Sequence, residues 1–378
     1  MSCCCPDAIS TRKKDLYYSQ QNLSFSVKNI KLFSYNELRS ATDNFHRKNK
    51  LGRGGFGMVY KGILKDGTVV AAKVLSAQSK QGVDEFLTEI DIIRTVKHPN
   101  LVQLIGCCVY GTNRILVYEY LEKNSLDHAL LANNSEKATL DWGTRSSICL
   151  GTARGLMFLH EELVPHIVHR DIKASNILLD ANFIPKIGDF GLAKLFPDNV
   201  THLTTRVAGT TGYLAPEYAM QGQLTKKADV YSFGVLVLEI VSGRSNSKEP
   251  WYATEKFLLE WTWHLYEEER LRELVDPSLK EEYPEEEVLR FIKVGLFCTQ
   301  AAAQRRPSML QVVEMLSKPM RLNEKELTPP GLVPNSSGKN KGKRGGNFSS
   351  FRFKGLSFTS STDPSSSATV SFSEIIPR

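Results

Sequence analysis

The chain is poor in cysteine and has no long apolar run, and both shortages exclude classes of protein. Seven cysteines occur in 378 residues, at positions 3, 4, 5, 107, 108, 149 and 298. The number is odd and the spacings form no zinc pattern, so a reducing, cytosolic compartment is expected. No apolar stretch reaches the ~18–20 residues of a membrane span, and none resembles the apolar core of a signal peptide. The chain is therefore expected neither to cross a membrane nor to be secreted. Net charge is +7, but it does not lie in the middle. Residues 1–50 hold nine Lys/Arg against four Asp/Glu, residues 321–378 hold the same numbers, and the stretch between carries −3. Basic ends suit an anionic membrane surface or plain solubility and argue against a nucleic-acid-binding core, so no nucleic-acid partner is expected. The length suggests roughly two domains, and 41% hydrophobic residues suffice for a sizeable core.

What is present is concentrated in one stretch, His169-Arg170-Asp171-Ile172-Lys173-Ala174-Ser175-Asn176. It follows a very apolar run. Asp171 can accept the proton of an attacking hydroxyl, Lys173 can neutralise a phosphoryl group, and Asn176 can hold a divalent metal. Phosphoryl transfer needs that toolkit, because its catalysis is mostly positioning and charge stabilisation. Eighteen residues after Asp171, Asp189-Phe190-Gly191 offers a carboxylate beside a flexible glycine, suited to holding Mg²⁺ against phosphate oxygens. Mg²⁺ keeps few protein ligands and leans on substrate phosphates, so Asp189 and Asn176 suffice.

Leu51-Gly52-Arg53-Gly54-Gly55-Phe56-Gly57-Met58-Val59 carries the spacing G-x-G-x-x-G. A dinucleotide fold uses the same glycines, but there they open a helix and meet an acid ~20 residues on. Here they run into alternating Val59, Lys61 and Ile63, then Asp66-Gly67, then Val69-Val70-Ala71-Ala72-Lys73, which reads as strand, hairpin, strand. The glycine segment then forms a flap whose backbone N–H groups close over phosphates, and Lys73 reaches the α and β phosphates. Val83, Phe86, Ile90 and Ile93 recur at spacings of three and four and predict an amphipathic helix over 83–97. On it Glu89 is taken as the partner of Lys73, and Glu85 as a solvated acid. His98-Pro99-Asn100 ends the helix. Residues 101–110 and 113–120 read as two apolar strands. Glu119 and Tyr120 close the second as a hinge whose backbone meets an adenine edge, with Tyr118 at the back of the pocket. A helix over 142–160 leads to the Asp171 loop. Residues 230–241 are almost wholly apolar, which predicts a buried helix, with Asp229 as its cap and as a brace for the loop. Further helices without chemistry are expected in 254–275 and 285–317, with Trp251, Trp261 and Trp263 as packing.

Taken together, G-x-G-x-x-G-x-V, V-A-A-K, H-R-D-I-K-x-x-N, D-F-G and Ala215-Pro216-Glu217 resemble a eukaryotic protein kinase over about residues 45–320. Lys173 and Gly209-Thr210-Thr211-Gly212-Tyr213 resemble the serine/threonine side of that family. The wording around Gly188–Lys194, Asp229–Gly234 and Arg306–Met309 is similar to the plant receptor-like kinases, kin to Pelle-type kinases. With no ectodomain in the chain, the receptor-like cytoplasmic kinases are implied. The resemblance implies an α+β, bilobal fold: a small β-rich lobe with one regulatory helix at about 45–120 and a mostly helical lobe at about 121–320. It implies ATP with Mg²⁺, or Mn²⁺ in its place, and protein hydroxyls as substrates. Carried over by residue, Asp171 is the proton acceptor, Lys73 the phosphate anchor, Asp189 and Asn176 the metal ligands, Glu89 the helix partner and Ala71 the adenine-facing position. Ala72 stands where many kinases have Ile. Glu217 resembles the partner of Arg306. No catalytic position is substituted, which argues against the rival reading, a catalytically dead scaffold that binds nucleotide. A monomer acting under a membrane receptor kinase is expected.

Between D-F-G and A-P-E lie Thr201, Thr204, Thr205, Thr210 and Thr211. Arg170 is placed to meet a phosphate on that segment. Phosphorylation at Thr204, Thr205, Thr210 or Thr211, foremost Thr205 or Thr210, is expected to order it; the other reading has Thr210 serving only in the substrate platform. Residues 1–44 are expected to be mostly flexible, with a short helix within 33–45 packed on the first lobe. Acylation at Cys3, Cys4 and Cys5, beside Arg12, Lys13 and Lys14, would hold the chain on the cytoplasmic side of the plasma membrane. Residue 2 is Ser, which excludes N-myristoylation. From residue 321 the text turns basic and Ser-rich, and a disordered tail is expected.

Overall fold

Alternating apolar residues in the first third of the chain build one six-stranded sheet. In the computed structural model, which describes residues 30–332 apart from 55–56, 76–79, 94–95, 132–139, 247–256 and 281, the strands are β1 (Lys31–Leu32), β2 (Lys50–Gly54), β3 (Gly57–Ile63), β4 (Val69–Leu75), β5 (Leu104–Tyr110) and β6 (Asn113–Glu119). Cys3, Cys4, Cys5, Gly55, Phe56, Trp251 and residues from 333 onward lie outside the described residues. The strand order is β1-β5-β6-β4-β3-β2, antiparallel except for β1 beside β5. The expected Asp-Gly hairpin joins β3 to β4: Asp66 Oδ1 accepts the Thr68 N–H at 2.9 Å, and Gly67 turns at φ 86°.

Directly paired residues share a face of a sheet, and neighbours along a strand alternate. Ala72 and Val117 therefore point one way, while Ala71, Lys73, Leu116 and Tyr118 point the other. Residues ahead of β2 cover the first face. Ser34 caps α1 (Tyr35–Ala41) by accepting the Glu37 N–H at 3.2 Å. Leu38 and Phe33 pack with Leu64, Val70, Ala72, Cys108, Ile115 and Val117 in a separate small core. The chain can lie this close only because residue 106 is glycine. A Cβ there would come within 2.3 Å of the Lys31 carbonyl oxygen and 2.6 Å of the Phe33 ring. The helix expected within 33–45 is thus present, preceded by a two-residue strand too short to show any alternation. Leu38 is fully buried, so Leu38→Ala is expected to cost ~2–5 kcal/mol of stability, read as a lowered denaturation midpoint. An unchanged midpoint would show that this segment contributes nothing to the lobe.

The second face meets α2 (Lys80–Ile93), which starts and stops a few residues before the periodicity suggested. Glu85 is buried like Glu89 and is not the solvated acid expected. Residues 85, 86, 89, 90 and 93 all fall on one side of a 3.6-residue helix, so the acids go inward with Phe86, Ile90 and Ile93.

The larger lobe is helical. It comprises α3 (Leu126–Leu131), α4 (Trp142–Met157), α5 (Pro216–Gln221), α6 (Lys226–Ser242), α7 (Leu258–Glu267), α8 (Glu285–Cys298) and α9 (Met309–Ser317). Short antiparallel pairs join β7 (His166–Val168) to β10 (Lys194–Phe196), β8 (Ile177–Leu179) to β9 (Pro185–Ile187) and β11 (Leu203–Thr204) to β12 (Gln223–Leu224). Every residue of α6 from Ala228 to Ser242 is buried, as its apolar text required. Its cap is Thr225, whose hydroxyl accepts the Lys227 N–H at 3.1 Å, and not Asp229. Lys226, Lys227 and Ala228 already favour helix, so the helix begins before its apolar run does. α4 gives way at Phe158 to a single π turn, Phe158–Glu162, instead of running regularly to His160. Residues 321–332, taken from the sequence as the start of the tail, include a 3₁₀ turn at Glu324–Glu326 and return to the helical lobe at Gln300. No helix among the described residues is long and apolar enough to cross a membrane.

Candidate active site

Three distant pieces of chain meet at Lys73. Its Nζ lies 3.0 Å from Glu89 Oε2 and 2.7 Å from Asp189 Oδ1. β4 supplies the lysine, α2 the glutamate and the turn after β9 the aspartate. Burial by itself would push the Lys73 ammonium down; Asp189 and Glu89 more than offset it and hold its pKa above the ordinary value. Burial likewise opposes ionisation of Asp189, and Lys73 outweighs it, keeping that carboxyl below its usual range. Glu89 Oε1 also accepts the Phe190 N–H at 3.3 Å, so the position of α2 is tied to D-F-G. Tyr118 is buried behind them. Burial and then the Glu89 charge push its phenol far up, so it stays neutral.

The Asp171 loop hangs on a fully buried carboxylate. Asp229 accepts the N–H of His169 at 2.7 Å and of Arg170 at 2.8 Å, and it lies 2.9 Å from His160 Nε2. Burial works against its charge, but the contacts led by His160 outweigh it and hold the carboxyl low. These bonds keep Arg170 at φ 73°, a left-handed conformation that persists only when its surroundings over-determine it. Asp171 then receives the Thr210 hydroxyl at 2.7 Å, Asn176 Nδ2 at 3.0 Å and Lys173 Nζ at 2.9 Å. Lys173 also donates to the Thr210 oxygen at 2.7 Å. Asn176 spends its other amide proton on the Asp171 carbonyl at 2.8 Å, which leaves its amide oxygen for a cation. The Gly188 N–H donates to the Asn176 carbonyl at 2.9 Å, and His169 Nε2 lies 3.0 Å from the Gly188 carbonyl. The loop and Asp189 therefore move as one piece. The available donors, a carboxylate and an amide oxygen, fit a hard divalent cation whose remaining ligands are phosphate oxygens and water.

The glycine flap is the β2–β3 pair, with Gly52 opposite Val59, Arg53 opposite Met58 and Gly54 opposite Gly57; Leu51 sits at the register shift beside Gly52. Val59 pairs with Lys73, and Ala71 lies between Lys61 and Tyr118. The Glu119 carboxylate is held by Lys186 Nζ, 3.0 Å from both oxygens, and by the Gln103 N–H at 2.8 Å. Lys61 Nζ sits 4.5 Å over the Tyr120 ring. The Glu119 N–H is itself donated to the Gln103 carbonyl at 3.1 Å, so a ligand at this strand end would meet other backbone groups.

A model of the family described as protein tyrosine and serine/threonine kinase matches residues 45–316. The chain belongs to the protein kinase family. It is 56% identical over 310 residues to cold-responsive protein kinase 1 of Arabidopsis thaliana, covering 82% of this chain and 80% of the relative. Two probable LRR receptor-like serine/threonine-protein kinases of the same plant are 50% identical over 370 residues and 53% identical over 325. These cover 98% and 86% of this chain but only 35% and 31% of those longer relatives. The chain is a serine/threonine protein kinase with the bilobal fold, a class that works with ATP and a divalent metal.

In this kinase the candidate phosphoacceptors stand in different settings. Thr204 and Thr211 are exposed and Thr205 is half-buried, whereas Thr210 is 8% exposed with its hydroxyl fixed between Asp171 and Lys173. A phosphate on Thr210 would remove the proton donated to Asp171 and set a dianion against that carboxylate. That geometry speaks against Thr210 as an activating site and for a place in the platform. Arg170 is not left open for a phosphate either. Its guanidinium donates to the carbonyls of Leu192 at 2.9 Å and Arg206 at 2.8 Å, and its Nε to the Tyr218 hydroxyl at 3.0 Å. The Tyr218 hydroxyl also accepts the Ala208 N–H at 3.0 Å. The segment is thus gathered around one arginine by neutral acceptors.

Tyr218, His160 and Glu239 escaped the sequence reading. For Glu239 a signal existed: it is the one acid inside the apolar run 230–241, and a buried acid needs donors. Tyr213 donates its hydroxyl at 2.6 Å and Asn246 its backbone N–H at 2.7 Å. Burial pushes the Glu239 carboxyl up to about 7, with those donors pulling back. An acid whose pKa is higher folded than unfolded stabilises the fold fully below its unfolded value, and the effect is lost as pH rises through the folded one. Between the ordinary 4.5 and about 7, wild type should therefore lose on the order of 3 kcal/mol that Glu239→Gln does not lose. Denaturation at a series of pH values checks this; parallel curves for the two proteins would contradict it.

Proposed function

We propose that this kinase transfers the γ-phosphoryl group of MgATP to serine and threonine hydroxyls of intracellular signalling proteins, acting as a monomer on the cytoplasmic side of a plant plasma membrane. The observation that supports it most is the assembled cleft, in which Lys73 bridges Glu89 and Asp189 beside the Asp171 loop. The flap from Leu51 to Val59 would cover the phosphates, Ala71 and the 119–120 backbone would meet the adenine, and Lys73 would anchor the α and β phosphates. Asp189 and Asn176 would hold Mg²⁺, or Mn²⁺ in its place, which supplies charge neutralisation at the phosphates. Asp171 takes the proton of the attacking hydroxyl as the new O–P bond forms and the bond to the ADP oxygen breaks. Lys173 offsets the charge that develops between them. Calorimetric titration with ATP should give binding in Mg²⁺ or Mn²⁺ that weakens strongly in EDTA and in Asp189→Asn. Metal-independent binding would overturn the assignment.

Upstream control is proposed at Thr204, Thr205 or Thr211, by the kinase itself or by a receptor kinase. Phosphate there would add charge at a segment Arg170 already gathers. Full activity of protein carrying no phosphate in residues 192–214 would reject this. Membrane attachment is proposed through acylated Cys3, Cys4 and Cys5. Hydroxylamine should release the protein from membranes, and a distribution it leaves unaltered would remove the idea.

A further inference from the structure

We infer that the strap Thr328–Gly331, which lies beyond the residues matched by the family model, is a positioning part of the platform that receives the protein substrate. The inference rests on the kinase reading of the cleft. The platform is the run from Gly209 to Pro216. At its first end a Cβ on Gly209 would come within 2.7 Å of the Arg170 carbonyl oxygen, so the run starts hard against the catalytic loop. At its other end Pro216 and Glu217 open α5.

The strap is zipped onto residues 299–301, the turn that leaves α8. Thr328 donates both its N–H, at 3.1 Å, and its hydroxyl, at 2.9 Å, to Gln300 Oε1. The Ala301 N–H reaches the Pro329 carbonyl at 3.3 Å, and the Gly331 N–H reaches the Thr299 carbonyl at 3.0 Å. Gln300 is buried, and its amide nitrogen is committed to the carbonyls of Phe297 at 3.2 Å and Arg305 at 2.9 Å, so it is a fixed anchor.

From this anchor two contacts reach the platform. Tyr231 of α6 donates its buried hydroxyl to the Gly331 carbonyl at 2.6 Å. The Arg306 guanidinium lies 5.0 Å over the same tyrosine ring and forks onto Glu217 at 2.8 Å twice. The second contact is direct. Gly331 lies against Pro216 so closely that a Cβ would come within 2.5 Å of Pro216 Cγ and 3.0 Å of Ala301 Cα. The platform is therefore pinned by the catalytic loop at one end and by the strap at the other. A binding segment held at both ends does not pay the ordering cost when its ligand arrives, and freeing one end restores that cost. None of the strap's partners touches Lys73, Glu89 or Asp189, so the nucleotide should not sense its loss.

The test uses the full-length chain with Gly331→Val, whose side chain cannot fit between Pro216 and Ala301, and myelin basic protein as the phosphoacceptor. Hydrogen exchange should show the amides of Thr328 and Gly331 released, since Pro329 and Pro330 carry none. KM for the acceptor should rise about fivefold or more, the scale set by losing one net hydrogen bond. KM for ATP, kcat and ATP hydrolysis in the absence of acceptor should stay within about twofold of wild type. Released amides with an unchanged acceptor KM overturn the inference. So do amides that remain protected, or a fall in kcat and ATP affinity that tracks the melting temperature. If Gly331→Val does not fold, Tyr231→Phe decides. It keeps the ring beneath Arg306 and removes only the bond to Gly331, so the acceptor KM must rise while that for ATP does not. Transfer by wild type in the same assay separates failure of this inference from failure of the kinase reading itself.

Discussion

Asp171→Asn is expected to lose ~10²–10⁴ in kcat while binding ATP as wild type does. The exchange keeps the shape of the side chain and removes the proton acceptor. Three donors now converge on the carboxylate, from Thr210, Asn176 and Lys173. They fix one rotamer and balance its charge, and an amide in the same place turns an NH₂ toward at least one of them. The loss should therefore sit in the transfer step. The nucleotide site depends on Lys73, Glu89 and Asp189, which this exchange leaves alone. Single-turnover transfer to a protein acceptor, beside calorimetric ATP binding, checks both halves. A variant within tenfold of wild type would mean that Asp171 is not the acceptor, since positioning alone would then carry the rate.

Arg306→Ala should fail in folding before it fails in chemistry. The Arg306 side chain is inaccessible and forks onto Glu217 at 2.8 Å through both terminal nitrogens. It also donates to the carbonyls of Gln300 at 2.7 Å, Lys227 at 3.0 Å and Ala301 at 3.2 Å. Alanine would strip a half-buried carboxylate and three carbonyls of their donor at once. Removing one partner of such a pair costs ~3–5 kcal/mol, a large share of the ~5–15 kcal/mol that holds a typical domain together. The denaturation midpoint should fall accordingly, with specific activity per folded molecule recovering on cooling. Undiminished stability would show that the Glu217 pair is not a keystone of the helical lobe.

How far the sequence led depended on whether a contact has a local signature. The Asp66-Gly67 hairpin, the Leu38 helix and the buried α6 follow from turn chemistry and periodicity, which are properties of neighbouring residues. Glu89 against Glu85 was decided by context and not by burial, and both turned out buried, because amphipathic periodicity marks a stripe without marking its edges. Thr225 displaced Asp229 as the helix cap because the cap lies where polar helix formers begin. Asp229 braces the catalytic loop as expected, but its contact with His160 depends on a π turn that no residue pattern announced. Thr210 is marked in the sequence as either a phosphorylation site or part of the substrate platform, whereas Tyr218 and the Gly331 strap were out of reach for a different reason. The roles of these two arise from partners 48 and 100 residues away in sequence, and unlike the Lys73–Asp189 and Arg306–Glu217 pairs neither contact has a motif at both of its ends.

The central claim is that a lysine, two aspartates and an asparagine from separate stretches form one working cleft. Incubating the full-length protein with γ-labelled ATP, Mg²⁺ and a protein acceptor, followed by phosphoamino-acid analysis, tests it most directly. The account predicts label on serine and threonine that disappears in Lys73→Met. Nucleotide binding without any transfer, or label that survives loss of Lys73, would contradict it.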